Sequence, residues 1–450
     1  MQLYEHQKKA LELTKGLQRI AYYIDMGGGK TFIGGEKMDD LGATVNLIVC
    51  QKSKINDWVE HFQTYYAYQP EFVYDLTKKK ELKAFLQHCS KASDERTEKC
   101  YGVINYDLIF RRKELHNLEN FTMMLDESSL IQNYKAKRTK FILKMKPANV
   151  ILLSGTPTSG KYENLWTQIH LLGWEISLDL FQRQYINWTK IEAGGIQISV
   201  VDKENPYKNV ERLKQKLRDH GAVFMKTEEF GIDLPEQTFI PVKVDASKEY
   251  ERFHKNSFVT IQKDWLVENS SDPYDVGEYE LAGDTSLTQM LYERQLCGQY
   301  SEEKWDALKD LIDGTNDRLV VFYNFDMELE LMKRLAEDLE RPISEVNGHN
   351  KDLTAYENED DSITLVQYQA GAMGLNLQKA NKVIYFTLPL MSELFEQSKK
   401  RVHRIGQKNT CFYYILLCRN SVEERILKTL EERKDYTDEL FKENVKEGSV

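Results

Sequence analysis

Residues 20–31 read Ile20-Ala21-Tyr22-Tyr23-Ile24-Asp25-Met26-Gly27-Gly28-Gly29-Lys30-Thr31. An apolar run that gives way to glycines and then to Lys-Thr is typical of a strand, a tight turn and the start of a helix. Glycines let the backbone wrap a phosphate and direct several N–H groups at it. The helix N-terminus adds a partial positive charge, so the segment predicts a phosphate site in an α/β fold.

Two side chains of this segment have predicted roles in binding ATP and magnesium. We expect Lys30 to reach the β- and γ-phosphates and Thr31 to bind magnesium. The residues expected to surround the phosphates are Met26, Gly27, Gly28 and Gly29. The full G-x-x-x-x-G-K-[ST] pattern is not met, because Ile24 stands where its first glycine would be. The alternative interpretation is a flexible glycine turn.

Apolar, β-rich runs alternate with longer helical patterns along the whole chain. Besides the first strand, they cover residues 47–50, 102–106, 123–126, 150–154, 239–244, 319–325, 363–368, 383–388 and 412–417. Strands that are apolar on both faces indicate parallel sheets covered by helices. Two such series predict two α/β lobes.

A polar segment that holds Gly and Pro, residues 228–235, separates the two series of strands. We therefore predict an amino-terminal lobe over residues 1–230 and a carboxyl-terminal lobe over residues 231–450. Residues 160–230 and 247–313 have mainly helical patterns, so each lobe is expected to carry a helical insertion.

Composition limits the class of protein. The chain has 450 residues, of which 41% are hydrophobic and 29% charged, as expected for a globular protein. The six cysteines form no C-x-x-C pair, which argues against zinc. We expect no membrane association and a cytoplasmic location, because no apolar run approaches the ~20 residues of a membrane span and the N-terminus lacks a signal-peptide pattern. We also expect a monomer.

The net charge of -10 does not by itself exclude nucleic acid, because local basic patches determine binding. Basic residues cluster at 78–80, 111–113, 135–140 and 399–404. Each cluster alone is usually a solvated surface. The last two of them follow or overlap segments with predicted catalytic roles.

Two carboxylates, Asp126 and Glu127, end the apolar run at 123–126. Successive residues of a strand face opposite ways, so both can reach one nucleotide only at the strand end. We expect Asp126 to bind magnesium through water and Glu127 to orient and deprotonate the attacking water.

The second lobe offers a basic segment at residues 396–407, which includes Arg401 and Arg404. Residues three apart on a helix share a face, so both guanidinium groups are expected to point the same way. Two guanidinium groups on one face suit a transferring phosphoryl group. The alternative is a basic, solvated helix end.

The motifs DMGGGKT, DESS, SGTP, GLNL and RVHRIGQ occur in this order along nearly the whole chain. In that order they resemble the superfamily-two helicases, and GLNL with RVHRIGQ resembles the Swi/Snf-type branch of double-stranded-DNA translocases. The resemblance implies two RecA-like lobes with one ATP between them and double-stranded DNA as the partner. It suggests a minimal motor of phage or prokaryotic type, whose protein partners the sequence does not identify.

The resemblance also assigns roles to single residues. It implies that Gln7 contacts adenine, and that Gly374 lies in a loop that contacts both ATP and the DNA backbone. The positions expected to contact nucleic acid are Lys52, Ser53, Asn105, Tyr106, Thr156, Gln369 and Asn376. Thr156 belongs to the segment that joins the ATP state to the nucleic-acid groove, and Ser53 could instead cap a helix.

The chain departs from the family pattern in two places that matter here. Ser128 follows the acidic pair where the family usually has His, which leaves open how that pair couples to the SGTP segment. Gly28 stands where the family loop usually has Leu. Two other functions stay open: a strand-separating helicase, for which a hairpin near residues 194–195 could act as the wedge, and a non-motor P-loop enzyme.

Overall fold

The computed structural model describes residues 2–91, 98–193, 196–231, 233–262, 278–371 and 375–441. They divide into two compact units, Met1–Asp233 together with Arg433–Val450, and Leu234–Glu432. Within the described ranges, no helix is both long enough and apolar enough to span a bilayer.

The first unit is built on a seven-stranded sheet whose strand pairs are all parallel, in the order β3-β4-β2-β5-β6-β1-β9. Its strands are β1 (Arg19–Ile24), β2 (Val45–Cys50), β3 (Val73–Asp75), β4 (Cys100–Asn105), β5 (Phe121–Asp126), β6 (Asn149–Ser154) and β9 (Ala222–Met225). A separate antiparallel hairpin consists of β7 (Trp188–Ala193) and β8 (Ile196–Val201).

Helices cover both faces of this sheet. They are α1 (Glu5–Leu13), α2 (Lys30–Asp40), α3 (Ile55–Tyr65), α4 (Lys79–Lys91), α5 (Tyr106–Ile109), α6 (Lys137–Lys144), α7 (Trp166–Leu171), α8 (Leu178–Tyr185) and α9 (Val210–Asp219). Along β1, Ala21 and Tyr23 pack into the core on one face, while Ile20, Tyr22 and Ile24 pack into the core on the other. This two-sided burial explains why the strand has a continuous apolar sequence.

The second unit contains another seven-stranded sheet, in the order β10-β18-β17-β13-β16-β14-β15, in which only the pair β14–β15 is antiparallel. Its strands are β10 (Gln237–Val244), β13 (Leu319–Tyr323), β14 (Ile343–Val346), β15 (Lys351–Asp352), β16 (Ile363–Gln367), β17 (Lys382–Tyr385) and β18 (Cys411–Cys418), with a hairpin of β11 (Phe258–Gln262) and β12 (Glu278–Ala282). Its helices are α10 (Lys248–Asn256), α11 (Ser286–Gln299), α12 (Glu302–Asp313), α13 (Asp326–Asp338), α14 (Thr354–Asn358), α15 (Tyr368–Gly371) and α16 (Ser392–Val402). The last helix, α17 (Val422–Phe441), begins in this unit, and its residues from Arg433 onward belong to the first unit. The predicted fold class of two α/β lobes with parallel sheets is confirmed.

The insertions differ from the prediction, because neither is purely helical. Residues 160–230 include the hairpin β7–β8 and the edge strand β9, and residues 247–313 include the hairpin β11–β12. Along β7 and β8, β-branched residues alternate with polar ones, a pattern of period two that favours extended chain. The predicted turn at 194–195 lies outside the described residues.

The topology brings the predicted motifs of the first unit to one edge of its sheet. Carboxyl ends of parallel strands meet at the same edge, and β4, β2, β5, β6 and β1 are neighbours in that order. The Asn105 position, the Lys52 turn, the acidic pair, the SGTP segment and the glycine turn therefore follow one another along this edge. Ligands of open α/β sheets bind at such an edge.

Candidate functional site

The glycine turn connects β1 to α2 in a conformation that favours glycine. Gly27 and Gly29 have positive φ angles of 85° and 71°, a region that side-chain-bearing residues rarely adopt. A Cβ atom at Gly28 would lie 2.7 Å from the side chains of both Ile24 and Phe230. Phe230 therefore fills the space next to this turn, which explains why the position holds Gly and not the larger Leu of the family pattern.

Lys30 begins α2, and its ammonium group points back into the turn. Its Nζ donates hydrogen bonds to the carbonyl oxygens of Ile24 at 2.8 Å and Asp25 at 3.3 Å. Thr31 follows in the first turn of the helix and is exposed. The cation, the start of the helix and the hydroxyl group thus lie together, as a phosphate and its metal ion require.

Two side chains of the amino-terminal helix α1 donate hydrogen bonds to the backbone of the same turn. His6 donates from Nε2 to the carbonyl oxygen of Gly28 at 2.9 Å, and its ring stacks on Phe230 with centroids 4.4 Å apart. Gln7 is buried and donates from Nε2 to the carbonyl oxygens of Gly28 and Gly29, each at 3.4 Å. Gln7 therefore contacts the phosphate turn, and its contact with adenine stays a prediction.

The acidic pair lies at the end of β5, as predicted. Asp126 is the last strand residue, and Glu127 leaves the strand in the left-handed region with a φ of 53°. This backbone conformation is costly for a residue with a side chain, and such residues are concentrated at functional sites. It lets two successive side chains depart from the alternation of the strand.

Asp126 is held by two aromatic residues that carry hydrogen-bond donors. Trp58 Nε1 donates to Asp126 Oδ2 at 2.8 Å, and Tyr106 Oη donates to the Asp126 carbonyl oxygen at 2.9 Å. Burial raises the pKa of Asp126, while the hydrogen bond from Trp58 and the charge of Lys30 oppose that rise. The hydrogen bond that Trp58, in the first turn of α3, donates to Asp126 was not predicted from the sequence.

The predicted nucleic-acid contacts of the first unit differ in accessibility. Lys52 and Ser53 are exposed in the 3-10 turn Lys52–Lys54. Lys54, and not Ser53, precedes the first residue of α3, and no side chain caps this helix, so Ser53 is not its N-cap. Asn105 is buried at the end of β4.

The predicted contact of Tyr106 with nucleic acid does not fit the position of its side chain. Its ring is only 2% exposed and its hydroxyl group is bonded within the protein, so this side chain cannot contact a nucleic-acid phosphate. Thr156, in the SGTP segment, is also nearly buried; its backbone N–H donates to Ser154 Oγ at 3.1 Å. Both residues lie inside the edge of the sheet and not on its surface.

The arginine segment of the second unit also differs from the prediction. Helix α16 ends at Val402, so Arg401 lies in its last turn while Arg404 lies beyond its end, and the two do not share a helical face. The chain leaves the helix at His403, where ψ is 88°. His403 donates to the Pro235 carbonyl oxygen at 2.7 Å and accepts from Gln237 at 3.0 Å, contacts that hold this turn next to β10.

Arg404 is positioned by the segment that the sequence predicted to contact nucleic acid. It donates from Nη1 to Asn376 Oδ1 and to the Leu375 carbonyl oxygen, the latter at 3.3 Å. The N–H of Leu377 donates to the Arg401 carbonyl oxygen at 2.9 Å, so the two segments are joined twice. Burial lowers the pKa of Arg404 from its usual value.

Two further predicted positions complete the account of this unit. Gln369 is exposed in α15. Gly374 lies outside the described residues.

Comparison with known proteins gives consistent matches. Residues 11–302 match the SNF2-related domain, and residues 303–406 match the helicase conserved C-terminal domain. Relatives include YwqA of Bacillus subtilis, a candidate ATP-dependent helicase/translocase, which is 24% identical over 95% of this chain and 45% of its own length. Human DNA excision repair protein ERCC-6 is 22% identical over 92% of this chain and 29% of its own length.

Among solved structures, one match is the Sulfolobus solfataricus SWI2/SNF2 ATPase core in complex with dsDNA. It is 18% identical, covers 97% of this chain and 92% of its own length, and has a TM-score of 0.41. The chain spans less than half the length of the curated relatives named above. From the family match over residues 11–302, the chain belongs to the SNF2-related family of superfamily-two helicases.

Proposed function

We propose that this chain is an ATP-driven motor that hydrolyses ATP when it binds double-stranded DNA and moves along the backbone without reading its sequence. One observation carries the proposal. The exposed Lys52 turn, the acidic pair and the glycine turn end β2, β5 and β1 at a single edge of the first sheet. Nucleotide chemistry and backbone contact thus share one structural platform.

ATP hydrolysis is assigned to residues of this platform. Lys30 neutralises charge on the β- and γ-phosphates, and Glu127 orients the attacking water and accepts its proton. The oxygen donors Thr31 and Asp126 suit a hard divalent cation, so these two residues would hold magnesium. The bound cation would neutralise charge that develops on the phosphates.

Nucleic-acid binding is assigned to the exposed polar side chains Lys52, Ser53 and Gln369. Contacts to phosphates from such side chains position a duplex but carry no sequence information. Binding is therefore expected to be independent of sequence and to weaken steeply as salt rises.

The test is steady-state ATPase activity with no nucleic acid, with duplex DNA, with single-stranded DNA and with RNA. The proposal predicts the largest stimulation with duplex DNA, together with displacement of a third strand from a triplex without separation of the duplex. Equal ATPase activity in all four conditions would contradict it and favour a P-loop enzyme that is not a motor.

A strand-separating helicase is the second candidate, and the hairpin β7–β8 favours it. Trp188, Ile191 and Ile198 are exposed on this hairpin, so it offers apolar side chains that could enter between bases. An unwinding assay on forked duplexes separates the two functions. Unwinding that is lost on Trp188→Ala and Ile191→Ser, while ATPase activity persists, would favour the helicase.

A further inference from the structure

The turn after the acidic pair is joined to the SGTP segment through a side chain from elsewhere in the unit. Ser128 Oγ donates to Gln168 Oε1 at 2.8 Å, and Gln168 Nε2 donates to the Pro157 carbonyl oxygen at 2.7 Å. The Ser128 side chain is shorter than the His that the family usually has at this position. Gln168, in α7, spans the remaining distance to Pro157. We call this path, Ser128 to Gln168 to Pro157, the amide bridge.

A third element reaches the same amide. Tyr23 Oη donates to Gln168 Oε1 at 3.1 Å, and Tyr23 belongs to β1, the strand that leads into the glycine turn. Ser128, Gln168 and Tyr23 are each 0% exposed, so water cannot replace these bonds without opening the core. The Gln168 side chain therefore contacts three parts of the unit: the segment after β5, the segment after β6, and β1, which leads into the glycine turn.

The chemistry of the partners fixes the orientation of the amide. The Pro157 carbonyl oxygen can only accept, so the NH₂ group of Gln168 must face it. Its carbonyl oxygen then faces the hydroxyl groups of Ser128 and Tyr23, which both can donate. Because each end has a required partner, a shift of the turn at Ser128 strains the bond to Pro157.

A parallel connection joins the same two segments. Asn164, four residues before Gln168, donates from Nδ2 to Gln132 Oε1 at 2.8 Å and to the Thr158 carbonyl oxygen at 3.0 Å. Gln132 follows the 3-10 turn Ser128–Ile131, and Thr158 follows Pro157. The helical segment that carries Asn164 and Gln168 thus holds both segments at two points.

The SGTP segment in turn lies beside the glycine turn. A Cβ atom at Gly155 would lie 3.3 Å from Met26 Cγ and 3.5 Å from Lys30 Nζ. Displacement of this segment therefore changes the surroundings of Lys30. The amide bridge lies between the residues assigned to the attacking water and those assigned to the phosphates.

We propose that Gln168 is a positioning residue that couples the acidic pair to the SGTP segment, in the role left open by Ser128. The inference rests on the proposed ATPase function. Gln168 sets the position of Glu127 relative to the phosphate turn and transmits a movement of one segment to the other. It does not touch the nucleotide.

The test compares Gln168→Leu with a matched control at the other end of the same two strands. Asn149 Nδ2 donates to Thr122 Oγ1 at 3.0 Å, a buried bond that joins β5 to β6 at their amino ends. Thr122→Val removes that bond without touching the carboxyl edge. The readouts are kcat and KM for ATP with saturating duplex DNA, and thermal unfolding of each variant.

Gln168→Leu is expected to lower kcat about 10-fold while KM for ATP stays within about twofold, the pattern of lost positioning and not of lost binding. Thr122→Val is expected to lower the unfolding temperature but to leave kcat within about twofold. Ser128→Ala is expected to lower kcat about threefold, and its combination with Gln168→Leu to be no slower than Gln168→Leu alone, because both act through one path.

Each other outcome overturns the proposal. If Gln168→Leu keeps the wild-type kcat, Gln168 only stabilises the fold. The same conclusion follows if Thr122→Val lowers kcat as much as Gln168→Leu does. If Gln168→Leu does not fold, Ser128→Ala decides alone, and an unchanged kcat contradicts the bridge. A wild-type protein that no nucleic acid stimulates contradicts the proposed function itself, whereas a stimulated wild type with an unaffected Gln168→Leu contradicts the bridge alone.

Discussion

In each unit, one buried side chain joins the segments that follow two neighbouring strands, but the side chain differs between the units. In the first unit, Gln168 joins the segments that follow β5 and β6. In the second unit, Glu328 joins those that follow β13 and β17, because its Oε2 accepts from the N–H groups of Asn324 and Phe325 and from Thr387 Oγ1. Both side chains are 0% exposed.

The difference lies in what each bridge holds and whether it can titrate. The amide of Gln168 is neutral at every pH and ends next to the acidic pair. The carboxyl group of Glu328 lies against Gly298, and burial raises its pKa to about 7. Among the described residues, the hydrogen bonds of Glu328 Oε2 run to Asn324, Phe325 and Thr387 and not to the arginine segment. Breaking the first bridge should therefore change the rate, and breaking the second should change stability.

The largest effect is expected in the second unit, away from its bridge. If Arg404 stabilises the transferring phosphoryl group, Arg404→Ala lowers kcat by about 10³-fold or more. Thermal unfolding should change little, since Glu328 is untouched. Arg419→Ala, which removes an exposed arginine paired with Asp245, is the control and should keep the wild-type rate. If Arg404→Ala keeps a kcat within twofold of wild type, this arginine has no part in catalysis.

The next effect is expected at the end of the first bridge. Glu127→Gln keeps the size of the side chain but cannot accept a proton, so kcat should fall about 100- to 1,000-fold. ATP binding, measured by equilibrium titration with a fluorescent analogue, should persist. Glu424→Gln, which changes a partly exposed carboxylate of the second unit, is the control. Loss of ATP binding together with the rate would instead assign Glu127 to binding.

Glu328→Gln should change the pH dependence of stability. The folded pKa is about 7 and the ordinary value is 4.5, so between these values the folded state keeps a proton that the unfolded state releases. The wild-type free energy of unfolding should therefore fall as pH rises from about 4.5 through 7, by on the order of 3 kcal/mol.

Glutamine mimics the protonated acid, so Glu328→Gln should lack this fall. Urea unfolding of both proteins at several pH values measures the difference. Parallel pH profiles would show that Glu328 does not hold its proton. The pH profile of the free energy of unfolding of Gln168→Leu should run parallel to that of wild type, because an amide does not titrate in this range.

The smallest effect is expected at the residue that positions Arg404. Asn376→Ala removes one hydrogen-bond acceptor of the guanidinium group but leaves the Leu375 carbonyl oxygen. We expect kcat to fall about 10-fold, since misplacement of a catalytic group costs less than its removal. Asn358→Ala, at an exposed asparagine of α14, is the control. An Asn376→Ala variant that binds DNA weakly at an unchanged kcat would assign this residue to nucleic acid alone.

Local patterns accounted for most of the fold and for the position of the glycine turn. The apolar run of β1, the glycines and Lys30 are adjacent in sequence, so their arrangement follows from nearest neighbours. The acidic pair was located at a strand end for the same reason. Short edge strands such as β9 (Ala222–Met225) were not predicted, because four residues carry too little periodicity.

Long-range contacts determined what the sequence did not predict. Helix α16 ends before Arg404 where His403 bonds to Pro235 and Gln237, residues more than 160 positions away. Phe230 fills the space beside Gly28 from the far end of the first unit. Gln168 lies 40 residues from Ser128 in a helix that has no motif of its own. None of these contacts leaves a periodic signal in the sequence.

The central claim is that the glycine turn binds the ATP whose hydrolysis duplex DNA stimulates. Its most direct test is the steady-state ATPase rate of wild type and Lys30→Ala, each with and without saturating duplex DNA. We predict that duplex DNA raises the wild-type rate. We predict that the Lys30→Ala rate is lower by about 100-fold or more, and that duplex DNA does not restore it. A Lys30→Ala protein that hydrolyses ATP at the wild-type, DNA-stimulated rate would contradict the account.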